Sequence, residues 1–300
     1  MYKNFISILE ENDVKYLKDE PMSRHTTFRI GGPCDIYVLP EGIDELKDVY
    51  LWAKKAGHKV FILGRGSNVI FPDEGYKGIV ISTEKLTDVT VEGNTLTAQC
   101  GASFTQIAVV ARDAGLSGLE FAYGIPGSVG GAVYMNAGAY GGQVSDCLAA
   151  SCAFNCQTAK IRYTDGEDHQ FGYRTSVYKN DPSTVILSAE FELKPDDKES
   201  IRARMDDYMG RRRDKQPLEY PSAGSVFKRP EGHFVGQMVQ ELGLKGYSIG
   251  GAQVSEKHAG FIINKGGATA SDVKSLIEYI KDRVRTAYEV ELECEVIFVK

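Results

Sequence analysis

Residues 123–140 read Tyr123-Gly-Ile-Pro-Gly-Ser-Val-Gly-Gly-Ala-Val-Tyr-Met-Asn-Ala-Gly-Ala-Tyr140, with glycine at 124, 127, 130, 131 and 138. Glycine has no Cβ and reaches positive φ without penalty, so such a stretch folds tightly and leaves main-chain amides open to a close neighbour. Consecutive exposed N–H groups form a nest that suits an anion, and a diphosphate is the usual guest. A tight structural turn is the plain alternative. It suits one glycine pair better than five glycines with Pro126 and Asn136 among them. The spacing is not the G-x-G-x-x-G of a dinucleotide-binding βαβ unit, and no Gly-Lys-Ser/Thr follows as in a P-loop.

A second glycine loop, Gly64-Arg-Gly-Ser-Asn68, follows the apolar run 60–63, which reads as a buried strand. Upstream, residues 34–39 alternate like a strand. A helix with Leu46, Val49, Tyr50 and Ala53 on one face follows, with Asp44 as its cap and Gly57 as its stop. The order is β-α-β, and ligands of α/β layouts collect at the ends of such strands. Two anion-friendly loops point to one extended ligand with a diphosphate in its middle.

The remaining pattern is mixed. Residues 3–12 form a helical stripe of Phe5, Ile8 and Leu9, and 22–32 read as extended. Strands at 87–92 and 96–100 flank Gly93-Asn94, a hairpin turn. Ser103 and Gln106 make a capping box for a helix that Gly115 closes. Strands are expected at 149–155, 158–163 and 185–193, and a helix at 199–213. A turn-rich stretch, 216–224, leads into a smaller α+β region. Its helix, 271–288, carries Val273, Leu276, Ile277, Ile280 and Val284 on one side. The last strand, 290–299, puts Glu291, Glu293 and Glu295 opposite Leu292, Cys294, Val296 and Phe298.

Three hundred residues exceed one ordinary core, so more than one domain is expected. A net charge of -6 argues against nonspecific nucleic-acid binding, which wants a basic face. No apolar run approaches membrane-spanning length, and a cytoplasmic location is expected. Six cysteines and five histidines lie scattered without zinc spacing, so reduced thiols and no catalytic metal are expected.

The two glycine loops together resemble the FAD-binding domain of the vanillyl-alcohol-oxidase and p-cresol-methylhydroxylase superfamily. Thr26-Thr-Phe-Arg-Ile-Gly-Gly32, Tyr173-Arg-Thr-Ser176, Ser222-Ala-Gly-Ser-Val-Phe-Lys228 and Leu292-Glu-Cys-Glu-Val296 narrow the likeness. With them the chain resembles the UDP-N-acetylenolpyruvoylglucosamine reductase family, over about residue 26 to the end. No extra tyrosine-bearing loop is evident, so the likeness is to the shorter class. The implied fold is α+β: a two-subdomain FAD-binding domain at 1–205, divided near 80, then a substrate-binding domain at 206–300. The last strand, about 290–299, would return toward the flavin.

What the resemblance implies for function is specific. Non-covalent FAD would take hydride from NADPH and pass it to the enolpyruvyl ether of UDP-N-acetylglucosamine, giving UDP-N-acetylmuramate for peptidoglycan synthesis. Arg174, Ser225 and Glu295 match the family's catalytic positions. Arg174 would hold the substrate carboxylate and developing enolate, Ser225 would donate the proton, and Glu295 would orient or polarise the enolate. Without the resemblance, Arg174 reads as a surface residue, Ser225 as a turn residue and Glu295 as solvent-facing. Cys294 departs from residues common in the family and leaves that carboxylate untouched.

FAD contacts would come from Arg29; from Gly64, Arg65, Gly66, Ser67 and Asn68; from Tyr123, Gly124, Ile125, Pro126, Gly127 and Ser128; and from Gly130, Gly131, Asn136, Ala137 and Gly138. Tyr173, Lys228, Arg229 and Lys245 would serve the nucleotide-sugar substrate. A monomer is expected. The competing readings are another FAD-dependent oxidoreductase of the superfamily, and a nucleotide-sugar-binding flavoprotein without turnover.

Overall fold

The computed structural model describes residues 2–181 and 183–300. The chain gathers into two compact units, each built from separated stretches. One comprises Met1–Lys18, Ile36–Arg65 and Gly78–Gly210; the other comprises Asp19–Asp35, Gly66–Lys77 and Arg211–Lys300. A single division near residue 205 therefore does not describe the packing. Phe28, Ile30 and Ile70 bury in the same cluster as Ala223, Val226 and Leu276. Burying each large apolar side chain contributes about 1.5–3 kcal/mol, enough to recruit two early segments into the later unit.

The first unit has two cores. One is formed by Phe5, Leu9, Leu46, Val49, Ile79 and Ile81, among others. Here the helix Ile43–Lys55 connects the strands Pro33–Val38 and Val60–Leu63, and Val60–Leu63 pairs in parallel with 79–82. The helix buries the predicted Leu46, Val49, Tyr50 and Ala53. Its N-cap is Gly42, however, and Asp44 sits inside the first turn, where a carboxylate suits the helix dipole. Of the strand Val60–Leu63 only Leu63 is fully buried.

The second core packs Phe104, Ile107, Ala111, Val129 and Val133 against one face of an antiparallel five-stranded sheet. Its order is Lys160–Asp165, Leu148–Asn155, Thr184–Glu192, Thr95–Gln99, Val89–Glu92. The expected hairpin is present: Glu92 faces Thr95, and Gly93 takes φ +58. Ser103 caps the helix Phe104–Asp113 by accepting from the Gln106 amide, and Gly115 follows the C-cap at φ +73.

In the second unit, Ser222–Ser225, Phe261–Asn264, Ala252–Val254 and Ser248–Ile249 form an antiparallel sheet in that order. The helix Ala270–Tyr288 lays its predicted stripe into the core. Thr269 and Asp272 cap it reciprocally, and Asp73 accepts from the amides of Ala270 and Ser271. Residues 22–32 are not extended. A 3-10 turn, Met22–Arg24, and a turn from Thr26 to Arg29 fold them so that Met22, Phe28 and Ile30 are buried. The expected last strand is also shorter. Only Ile297–Phe298 pairs, in parallel with Val69–Ile70, and Cys294 makes a lone bridge to Phe227.

Candidate active site

The middle of the central glycine stretch is helical. Val129–Met135 is a short helix whose N-cap Ser128 accepts from the Gly131 amide. The Gly124 amide goes to Thr105 Oγ1, Val129 to the Ala102 carbonyl, and Gly130 to the Cys100 carbonyl at 2.8 Å. These amides are not available to an anion, which corrects the expectation of a continuous open nest. Gly130 is needed because the strand end at Cys100 is so near: a Cβ there would lie 3.0 Å from the Cys100 Cβ.

Open amides remain elsewhere. Among the described residues, no protein acceptor serves the amides of Arg65, Gly66, Ser67 and Asn68, or those of Gly127 and Ser128. Gly66 and Ser128 are nonetheless buried. A buried amide without a partner is costly, so such groups await an acceptor. Within each unit these are backbone donors open to an acceptor such as a phosphate oxygen. In the first unit a Cβ at Gly64 would fall 2.2 Å from Ser128 Oγ and displace that capping hydroxyl. Arg29 is exposed in the left-handed conformation, φ +56.

Asn136 ends the short helix in the left-handed conformation and is 1% exposed. Its side-chain amide donates to the Gly172 carbonyl at 3.0 Å, and its oxygen accepts from the Ser145 amide. It therefore ties the glycine stretch to the loop that carries Arg174. Arg174 donates to the carbonyls of Gly138 at 3.1 Å and Asn136 at 3.5 Å, and its guanidinium lies 5.0 Å from the centre of the Tyr173 ring. Arg174 itself takes φ +57 in a tight turn closed by mutual Gly172 and Thr175 hydrogen bonds. Left-handed backbone costs a non-glycine residue about 1–2 kcal/mol, and the carbonyl contacts oppose that cost.

In the second unit the backbone segments that carry Ser225 and Glu295 run side by side. The Glu295 amide donates to the Val226 carbonyl at 2.8 Å, and Lys228 donates its amide to Glu293. Val226 is buried, so the preceding Ser225 is exposed on the other side of the chain. Asn68 reaches the same place: its side-chain amide donates to the Glu295 carbonyl at 3.2 Å. Glu295 is half-buried while Glu291 and Glu293 are exposed, so the three carboxylates differ.

The expected phosphate-binding cations are less uniform. Lys228 pairs with Glu293, Arg229 stacks on Phe234 at 3.8 Å, and Lys245 is exposed. The Lys228–Glu293 pair and the part of Asn68 at Glu295 were not read from the sequence. Both join residues far apart in the chain, and no local spacing announces them.

Comparison with known proteins bears on all of this. Residues 34–159 match the model of an FAD binding domain, and residues 216–299 match that of the UDP-N-acetylenolpyruvoylglucosamine reductase C-terminal domain. The chain is 46% identical over 297 residues to a UDP-N-acetylenolpyruvoylglucosamine reductase of Clostridium botulinum, covering 98% of this chain and 96% of that protein. A Pediococcus pentosaceus protein of the same name is 47% identical over 284 residues, covering 95% and 94%. The crystal structure of the reductase from Thermus caldophilus superposes with a TM-score of 0.82 at 33% identity, covering 96% of this chain and 99% of that one. An α+β chain with an FAD-binding domain followed by this C-terminal domain, it belongs to the UDP-N-acetylenolpyruvoylglucosamine reductase family.

Proposed function

We infer that the protein uses NADPH to reduce the enolpyruvyl ether of UDP-N-acetylglucosamine to UDP-N-acetylmuramate, through non-covalent FAD, in peptidoglycan-precursor synthesis. The observation that supports the reading is the hydrogen bond from the Glu295 amide to the Val226 carbonyl, which runs the segments bearing Ser225 and Glu295 side by side.

Bound FAD supplies a two-electron carrier between the nicotinamide and the C=C bond. The open amides of Gly127 and Ser128 are suited to its phosphate oxygens, and so, in the other unit, are those of residues 66–68. The rest falls to this chain's side chains. Arg174 presents a permanently charged fork with five N–H donors, suited to the substrate carboxylate and to the charge that develops on it. Ser225 donates a proton to the neighbouring carbon. Glu295, held through its backbone by Val226 and Asn68, orients the enolate. Tyr173, Lys245 and Arg229 contact the nucleotide sugar, with Lys228 as helper through its pair with Glu293.

The reading includes a monomer in the cytoplasm that does not bind nucleic acid. No helix among the described residues is long and apolar enough to cross a membrane, and none of the six cysteines is in a disulfide. Sedimentation velocity tests the oligomeric state.

The reaction is tested anaerobically. The purified flavoprotein is reduced with stoichiometric NADPH, then mixed with UDP-N-acetylglucosamine enolpyruvate while flavin absorbance is followed. Prompt reoxidation is expected. Reduction by NADPH without reoxidation by that substrate would refute the reading.

A further inference from the structure

One hydroxyl in the first unit does something the reaction scheme leaves unused. Ser151, 1% exposed, lies in the strand Leu148–Asn155, paired to Thr164 on one side and Ala189 on the other. The register against Thr184–Glu192 slips on both sides of it, between Leu148 and Ala150 and between Cys152 and Ala153. Such bulges re-aim side chains. Ser151 Oγ stands 2.7 Å from His169 Nε2 and 2.7 Å from the Tyr178 hydroxyl. His169 is fully buried and Tyr178 is 2% exposed.

The direction of every proton in this chain follows from one carbonyl. His169 Nδ1 lies 3.1 Å from the Gly166 carbonyl, which can only accept, so Nδ1 carries the hydrogen. Burial holds the imidazole neutral by lowering its pKa. Nε2 must then accept from Ser151, and the Ser151 oxygen accepts from Tyr178. The three side chains are satisfied together, and no solvent reaches them. A serine–histidine pair so enclosed is a poor nucleophile for any substrate, which leaves a positional role.

His169 and Tyr178 bracket the segment that carries Arg174. His169 precedes it, with its ring stacked on Phe171 at 4.9 Å, and Tyr178 lies in the helical turn Val177–Asn180 that follows. Between them the buried Ser176 donates to the Tyr134 carbonyl, and Lys179, just after Tyr178, donates to the Arg174 carbonyl. Both ends of the loop are therefore pinned to the same strand by one oxygen. A loop holding a left-handed Arg174 needs such anchoring to keep the guanidinium in one place.

We propose that Ser151 is a positioning residue for the reduction: through His169 and Tyr178 it fixes the Arg174 loop in its working geometry. This rests on the assignment of Arg174 to the substrate carboxylate. The role concerns the second half-reaction, since NADPH brings no carboxylate of the enolpyruvyl kind for Arg174 to hold.

The test compares the two half-reactions by stopped flow in flavin-loaded Ser151→Ala, Tyr178→Phe, Arg174→Ala and the double variant Ser151→Ala/Arg174→Ala. With UDP-N-acetylglucosamine enolpyruvate, reoxidation in Ser151→Ala falls about 10- to 100-fold, as misplacing a binding group does. Tyr178→Phe, which keeps the ring and removes one hydroxyl, loses less in the same half-reaction, and it carries the test should Ser151→Ala fail to fold. Reduction by NADPH stays within about twofold, and Ser151→Ala adds no more than about twofold on the Arg174→Ala background, because the serine acts through the arginine. Unchanged reoxidation, an equal fall in both half-reactions, or an additive loss in the double variant overturns the proposal. If Arg174→Ala alone leaves reoxidation intact, the assignment of Arg174 itself has failed, a result distinct from the others.

Discussion

Asn68 and Glu295 are 227 residues apart in sequence, yet the Asn68 side-chain amide donates to the Glu295 backbone carbonyl at 3.2 Å. The Asn68 carbonyl in turn accepts from the Ile297 amide at 3.0 Å. The end of one glycine loop is thus stitched to the segment bearing the last catalytic candidate. A displacement of Asn68 would therefore act on the Glu295 backbone.

Asn68→Ala removes the side-chain bond and keeps the main-chain one. A hydrogen bond of this kind contributes about 1 kcal/mol, so the melting temperature should fall modestly. Reoxidation by the enolpyruvyl substrate should slow by about tenfold through displacement of Glu295, with NADPH reduction retained. Stopped-flow traces for the two half-reactions measure this, and equal rates in both proteins would refute the coupling.

Ser225→Ala should bind flavin and accept electrons from NADPH as the parent does. Its reoxidation should fall by about 10²- to 10⁴-fold, the usual contribution of a positioned proton donor. A variant that still turns over at the parent's rate would remove Ser225 from the mechanism.

Gly66 sits at φ +61, and a Cβ added there would lie 2.1 Å from the His25 carbonyl oxygen. That oxygen belongs to the backbone and has little freedom to retreat. Gly66→Ala combines left-handed strain with overpacking, for a destabilisation of about 2–5 kcal/mol. The urea midpoint reports it. A midpoint matching the parent's would show that the loop adapts.

Burial holds the His169 and His258 imidazoles below their ordinary value of 6.5. On acidification the unfolded chain takes up those protons first. The stability they contribute is therefore complete above about pH 6.5 and is lost as the pH falls through the depressed native values. The Glu120 carboxylate adds nothing in this window: burial raises its pKa, but the Arg204 and backbone hydrogen bonds win and hold it below 4.5. Urea midpoints measured from pH 8 to pH 5 should stay level and then decline, and a level profile down to pH 5 would contradict the assignment.

The sequence by itself determined whatever depends on near neighbours in the chain. The stripe on Ala270–Tyr288, the Ser103 cap and the Gly93-Asn94 hairpin follow from side-chain period and turn chemistry, which act over a few residues. The motifs around Arg174, Ser225 and Glu295 were legible in the same way, as strings. Only the tertiary structure decided which amides of the glycine stretch are open. Gly124, Val129 and Gly130 lose theirs to Thr105, Ala102 and Cys100, partners supplied by another part of the chain. It alone brought residues 19–35 and 66–77 into the later unit, because burial of Phe28, Ile30 and Ile70 depends on surfaces that exist only once the chain has folded. The Ser151 hydroxyl belongs to the same class: a serine inside a strand carries no local signal, and its partners His169 and Tyr178 become neighbours only when the strand and the following loop pack together.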